Sequence, residues 1–102
     1  MKKVIAQTEI NVNEEGYLTD FAQWTKEIGT EIATDYNIEM TDRHWEVVKW
    51  IQEKVNEGAA LSIRGIKKSG VIDIKSFYAL FPGGPLKVST KIAGVPKPKS
   101  CI

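Results

Sequence analysis

Residues 41–58 read TDRHWEVVKWIQEKVNEG, and this stretch decides the fold. Its large apolar residues recur at helical spacing and draw one stripe along an α-helix. They are Trp45, Val48, Ile51 and Val55. Thr41 is a good N-cap ahead of Asp42, and Gly58 is a natural C-terminal stop. The stretch therefore predicts an amphipathic helix that begins at Asp42, ends before Gly58 and forms one wall of a core.

A second apolar stripe lies upstream and predicts a helix from Asp20 to Tyr36, with Thr19 as its N-cap. Its members are Phe21, Trp24, Ile28 and Ile32. We expect Trp24, like Trp45 on the other helix, to belong to the core. Before this helix, residues 4–18 predict a small β-hairpin, because apolar and polar residues alternate over 10–13 and a turn signal follows at 13–16.

Three shorter helices are predicted downstream. Ser62 caps one that runs through Lys68, Ser69-Gly70 forms a break, and Asp73 caps the next. Together they resemble a helix-turn-helix. The second of them offers only Lys75 among its central polar positions, which is poor chemistry for reading bases, so we expect no direct binding of nucleic acid. Pro85 begins the last helix, whose apolar members are Leu86, Val88 and Ile92.

The chain has 102 residues and no apolar run of the roughly 20 residues that a membrane span needs. We therefore expect one small cytoplasmic domain, α+β and mostly α, that does not enter a membrane. Residues 1–63 carry 6 Lys and Arg against 12 Asp and Glu, whereas residues 64–102 carry 8 against 1. The basic half either meets nucleic acid or an acidic protein, or is attracted to the acidic half within the fold.

Cys101 and His44 are the only residues of their types. One cysteine and one histidine cannot build a closed four-ligand zinc site within one chain, and no phosphate-binding glycine motif is present. We therefore expect no metal and no organic cofactor. His44 falls one turn into a predicted helix, where an orienting or capping hydrogen bond is the expected role rather than general-base catalysis.

The sequence after Gly94 reads VPKPKSCI. Its two prolines exclude a helix and favour an extended conformation. We expect two parts: a helical domain with the N-terminal hairpin over 1–93, and a flexible C-terminal arm over 94–102 that carries the thiol of Cys101. Lys97 and Lys99 would favour the thiolate form of that thiol, whereas the C-terminal carboxylate of Ile102 would oppose it, so the two effects partly cancel.

Several blocks resemble the DsrC/TusE family of sulfur-relay proteins, also described as the gamma-subunit-like proteins of dissimilatory sulfite reductase. They are GYL at 16–18, HWEVV at 44–48, LFPGGP at 80–85 and KIAGVPKP at 91–98, followed by Cys101. The resemblance implies a small helical domain with an N-terminal hairpin, a helix-turn-helix-like part and a flexible arm. It also implies that Cys101 is the catalytic residue and carries sulfur as a persulfide, received from a donor protein and passed to an acceptor protein.

The family divides over a second cysteine eleven positions upstream, where this chain has Thr90. The resemblance therefore favours the single-thiol, TusE-like carriers that serve tRNA 2-thiouridine synthesis, with a thiouridylase as one partner. Two alternatives stay open: an accessory protein of a sulfite reductase system, and a sulfur-responsive helix-turn-helix regulator. Thr90 weakens the first alternative, and the poor base-reading surface weakens the second.

Basic side chains are the candidates for docking a partner. The candidate docking residues are Arg64, Lys67, Lys87, Lys91, Lys97 and Lys99. Lys87 and Lys91 lie one turn apart on the last predicted helix, close to the start of the arm, where electrostatic steering of a partner would act.

Overall fold

The computed structural model describes residues 2–58 and 61–96. Within these ranges the chain forms a two-stranded antiparallel sheet, a 3₁₀ turn and five α-helices. The elements are β1 (Lys2–Ile5), β2 (Thr8–Asn11), the 3₁₀ turn (Phe21–Gln23), α1 (Lys26–Asp35), α2 (Asp42–Asn56), α3 (Ile63–Ser69), α4 (Ile74–Leu80) and α5 (Pro85–Ala93). The predicted fold class, mostly helical with an N-terminal hairpin, is confirmed. Within the described ranges, none of the helices combines the length and the hydrophobicity that a membrane span requires.

The hairpin begins earlier in the chain than its sequence signal. β1 pairs with β2 from Lys2 opposite Asn11 to Ile5 opposite Thr8, so the turn falls on Ala6 and Gln7. Both have positive φ, 52° and 63°, which is the conformation of a two-residue hairpin turn that usually takes Asn or Gly. Since neither residue is a turn former, no residue type marks this turn in the sequence. The predicted turn at 13–16 also exists, and a bridge between Val12 and Leu18 closes it.

The predicted helix from Asp20 to Tyr36 is wrong in its first third. Asp20, rather than Thr19, caps the short 3₁₀ turn, and Trp24 is then extended, at φ −71° and ψ 137°. The Thr25 hydroxyl accepts a 3.2 Å hydrogen bond from the Ile28 N–H, so it is the N-cap of α1. This interruption rotates Trp24 off the helical stripe.

The second predicted helix is confirmed at both ends by α2. His44 is buried near its start, and its Nδ1 accepts hydrogen bonds from the Thr41 N–H at 3.1 Å and from the Thr41 hydroxyl at 2.7 Å. The proton is therefore on Nε2, which donates to the main-chain oxygen of Leu80 at 2.9 Å. His44 thus caps α2, as predicted, and it also ties this helix to the end of α4.

The helix-turn-helix-like pair is formed by α3 and α4. The Ser62 hydroxyl accepts from Gly65 N–H at 2.9 Å, and an Asp73 carboxylate oxygen accepts from Ser76 N–H at 2.7 Å. The Ser76 N–H bond, with a smaller contribution from its hydroxyl, lowers the pKa of Asp73. Both caps are those that the sequence predicts.

The centre of the molecule is α5, which packs against α1, α2 and α4. Seven of its residues are buried, including Ser89 and Thr90 as well as the predicted apolar members. Trp24 and Trp45 are half-buried at the edge of the core rather than inside it. Because α5 is covered on most sides, packing against the neighbouring helices sets the position of its C-terminal end.

Candidate functional site

The structure describes the candidate site as far as Pro96. Cys101, Lys97 and Lys99 lie outside the described residues, as does most of the predicted arm. We call Ala93, Gly94, Val95 and Pro96 the arm root. The position of this root determines the point on the protein surface from which residues 97–102, with the thiol of Cys101, extend.

A Schellman motif ends α5 at the arm root. The Gly94 N–H donates to the Lys91 oxygen at 3.1 Å, and the Val95 N–H donates to the Thr90 oxygen at 3.2 Å. Gly94 has φ +72°, the left-handed conformation that this motif requires. Two of the four carbonyls that an α-helix leaves open at its end are satisfied in this way.

Side chains from two other elements satisfy the remaining two carbonyls. The indole Nε1 of Trp24 donates to the Ile92 oxygen at 2.7 Å, and the Gln52 side-chain amide donates to the Ala93 oxygen at 2.9 Å. All four terminal carbonyls of α5 therefore have a donor. The arm root is joined by hydrogen bonds to the segment before α1 and to α2.

Glycine is required at residue 94 for a second reason. A Cβ atom there would lie 2.3 Å from Cδ1 of Trp24 and 2.7 Å from its Cγ. The indole therefore lies directly against the main chain of the root. No side chain fits between them without a shift of Trp24.

The first two residues of the predicted arm, Gly94 and Val95, lie against the packed surface. Gly94 is buried and Val95 is only 2% exposed, whereas Pro96 is exposed. Val95 is the residue after the left-handed glycine, a position whose apolar side chain often packs back on its helix. The composition of the segment did not reveal this local burial.

An open cleft of about 240 Å³ lies beside the arm root. It is lined by Phe21, Gln52, Val55, Asn56, Val95 and Pro96. The Phe21 ring is 50% exposed and stacks nearly parallel on Trp24, with 6.1 Å between ring centroids. The wall of the cleft therefore includes an exposed aromatic ring that is held by the same tryptophan that holds the root.

The basic candidates differ in their surroundings. Lys91 is half-buried, its Nζ donates to the Tyr36 hydroxyl at 3.0 Å, and it lies 5.3 Å from the Tyr17 ring centroid. Lys87 is exposed on the same helix. Arg64 and Lys67 are exposed on α3, a different helix. Of the two lysines of α5, Lys91 is therefore packed against the protein, whereas Lys87 is exposed and can attract an acidic partner.

Thr90 is fully buried, and its hydroxyl donates to the Leu86 oxygen at 2.7 Å. Its position off the stripe of Val88 and Ile92 does not expose it, because α5 is covered on that side as well. His44 is engaged at both ring nitrogens by structural partners. Neither residue offers a group for acid or base chemistry near the arm root.

Sequence reasoning missed the role of Trp24 and Gln52 at the root. Both contacts join residues that are far apart in the chain, 68 positions for one and 41 for the other. The Gly94-Val95-Pro96 sequence is a local signal for a helix end, but it does not identify the donors that complete it.

Comparison with known proteins gives consistent matches over nearly the whole chain. The family described as DsrC like protein matches residues 4–102. The protein named Sulfurtransferase TusE from Salmonella paratyphi A is 38% identical over 102 aligned residues, covering 92% of this chain and 94% of that protein.

Two solved structures are similar along their full length. The NMR structure of Allochromatium vinosum DsrC has a TM-score of 0.82 and 30% identity, covering 100% of both chains. The oxidized gamma-subunit of the dissimilatory sulfite reductase (DsrC) from Archaeoglobus fulgidus has a TM-score of 0.79 and 28% identity, again covering 100% of both chains. The fold described above is therefore shared with both.

Proposed function

Because this chain belongs to the DsrC-like family, we propose that it is a sulfur carrier that takes up sulfane sulfur as a persulfide on Cys101 and passes it to an acceptor protein. Its similarity to proteins named Sulfurtransferase TusE is the observation that carries this proposal. The carrier would work in the cytoplasm, where thiols are kept reduced.

The transfer is an exchange between sulfur atoms. The Cys101 thiolate attacks the outer sulfur of a donor persulfide, a new S–S bond forms, and the old S–S bond breaks with its electron pair leaving on the donor cysteine. The products are the Cys101 persulfide and the donor thiol, so no external oxidant or reductant is consumed. In the second step an acceptor nucleophile attacks the outer sulfur and releases the Cys101 thiolate.

A single thiol restricts how sulfur leaves this carrier. The chain holds one cysteine, so an internal disulfide cannot displace the bound sulfur. The nucleophile that accepts it must then come from another molecule. This supports a relay between proteins, and we propose a tRNA thiouridylase as the acceptor class.

The similarity to the Archaeoglobus gamma-subunit suggests a second acceptor class, a sulfite reductase. Because that protein is named as a subunit of such an enzyme, co-purification with a reductase is the discriminating observation. We place the thiouridylase first, since the curated relatives carry the sulfurtransferase name and the chain has one thiol.

Electrostatic steering by the cations near the arm root is a further part of the proposal. Lys87 is exposed, so its charge can act on an approaching partner, whereas Lys91 is packed between tyrosines. Arg64, Lys67, Lys97 and Lys99 remain candidates for the same role. We expect Lys87→Glu to slow loading from an acidic partner at low ionic strength, and we expect added salt to remove the difference.

The test of the carrier function is intact mass after incubation with glutathione persulfide. The wild-type chain should gain one sulfur atom, a reductant should remove it, and Cys101→Ser should gain none. Loading of the serine variant, or no loading of the wild type, would disprove the proposal.

A further inference from the structure

The distance over which Cys101 can act is limited by covalent geometry. Five residue steps separate Pro96 from Cys101. Even a fully extended chain spans at most about 17 Å over five steps. Any protein that exchanges sulfur with Cys101 must bring its reacting atom within this distance of Pro96, extended only by the cysteine side chain and its S–S bond, so its surface must approach the face around the arm root.

That face carries an exposed aromatic ring which the core does not require. Phe21 is one of three large apolar residues that are strongly exposed within the described ranges, the others being Val4 and Tyr78. Phe21 alone among them lines the cleft at the root, beside Val55 and Pro96. Its stacking on Trp24 holds the ring in place, so little side-chain entropy would be lost on binding.

Resting on the proposed function, we infer that Phe21, Val55, Asn56 and Pro96 form a docking surface for the apolar rim of a partner's persulfide cleft. We call these four residues the root patch. Aromatic side chains, Phe among them, are enriched at protein–protein interfaces relative to the rest of the surface. The cleft of about 240 Å³ has room for an apolar side chain from that rim.

The residues that follow Pro96 indicate that a partner protein, rather than this chain's own C-terminal segment, occupies the cleft beside Phe21. Three of the four residues that follow Pro96 are basic or polar, namely Lys97, Lys99 and Ser100, and they suit a mostly apolar cleft poorly. A small patch also suits a carrier, because weak and brief complexes bury little surface and separate quickly.

The experiment compares two donors that differ only in whether they present a protein surface. Glutathione persulfide can reach Cys101 without docking, whereas a purified rhodanese that carries a persulfide in its active-site cleft must bring its rim to the root. Rates of loading are measured by intact mass for the full chain. We expect Phe21→Ala to slow loading from rhodanese by about tenfold and to leave loading from glutathione persulfide unchanged.

Tyr78→Ala is the matched control, since Tyr78 is 49% exposed but lies on α4 and does not line the cleft. It should alter neither rate. Asn56→Lys is a second variant in case loss of the Phe21 ring disturbs Trp24; it places a charge at the rim of the cleft and should slow only the rhodanese reaction. Phe21→Leu should restore most of the rate, because it keeps an apolar side chain.

The outcomes separate this inference from the carrier function. If the wild type is loaded by neither donor, the carrier function itself fails. If the wild type is loaded by both and neither Phe21→Ala nor Asn56→Lys slows the rhodanese reaction, the root patch is wrong and the carrier function stands. A change in the glutathione persulfide rate in both Phe21→Ala and Asn56→Lys would instead indicate that the chain's own terminal segment occupies the cleft, and this would also overturn the inference.

Discussion

The indole Nε1 of Trp24 lies 2.7 Å from the main-chain oxygen of Ile92 and donates a hydrogen bond to it. This contact joins the segment before α1 to the last turn of α5. With the bond from Gln52 to Ala93, it completes the hydrogen bonding of the helix end from which the predicted arm leaves. The stability of the root therefore depends on side chains supplied by other parts of the chain.

Trp24→Phe should lower the free energy of unfolding by about 1–3 kcal/mol, because the Ile92 oxygen loses its donor in a largely buried place. Urea denaturation followed by circular dichroism measures this difference. Trp50→Phe is the control, since Trp50 is also half-buried but lies on α2 away from this contact. Equal losses in the two variants would show that ring packing, rather than the hydrogen bond, accounts for the effect.

Gly94→Ala should destabilise the protein more than Gly70→Ala. Both glycines have φ above +70° at a helix end, but a Cβ on Gly70 meets nothing within 4 Å, whereas one on Gly94 lies 2.3 Å from Trp24. Each variant incurs the left-handed backbone cost of about 1–2 kcal/mol, and Gly94→Ala should add about 1–3 kcal/mol for the forced shift of the indole. The difference between the two unfolding free energies isolates the second effect. A difference near zero would mean that Trp24 moves aside freely.

His44→Ala should reduce stability by about 1–3 kcal/mol and leave the loading of Cys101 unchanged, because both ring nitrogens make structural hydrogen bonds. Thermal denaturation and intact mass after incubation with glutathione persulfide give the two readouts. Loss of loading in a variant that remains folded would contradict the structural role and assign chemistry to the imidazole.

Gln7→Gly should stabilise the hairpin. Gln7 has φ +63° in the turn between β1 and β2, a conformation that costs a non-glycine residue about 1 kcal/mol, offset in part by the greater freedom of glycine in the unfolded chain. We therefore expect a net gain of roughly 0.5 kcal/mol in the free energy of unfolding. Glu9→Gly, at an exposed strand position, is the comparison and should destabilise. A loss of stability in Gln7→Gly would contradict the turn assignment.

Local signals predicted those elements whose ends are marked by their own residues. Thr41 and Gly58 bound α2, Ser62 and Asp73 begin α3 and α4, and Pro85 begins α5, each by a hydrogen bond or dihedral preference that acts within a few residues. The helix from Asp20 failed because Trp24 fits the helical stripe but is held elsewhere by Ile92. The contact that holds Trp24 involves a residue 68 positions away, so the local pattern of apolar residues does not reveal it.

The reacting residue of the candidate site was predictable from the sequence, whereas the packing around the arm root was not. The type and place of its single thiol follow from the sequence and the family resemblance, and Cys101 stays a prediction because it lies outside the described residues. The packing of Val95 and the cleft beside Phe21 could not be predicted, because both arise where three segments of the chain meet.

The fixed end of α5 has a consequence for the concentration at which a docked partner meets the thiol. Val95 is held by its hydrogen bond to Thr90, so the core sets the position of Pro96, which would be the pivot of the predicted arm. With the protein body blocking one side, a flexible arm of the predicted kind would restrict one thiol to about half a sphere of roughly 17 Å radius, which is equivalent to a local concentration on the order of 100 mM. Loosening the pivot would enlarge that volume and dilute the thiol, even though no residue that reacts or touches the partner had changed.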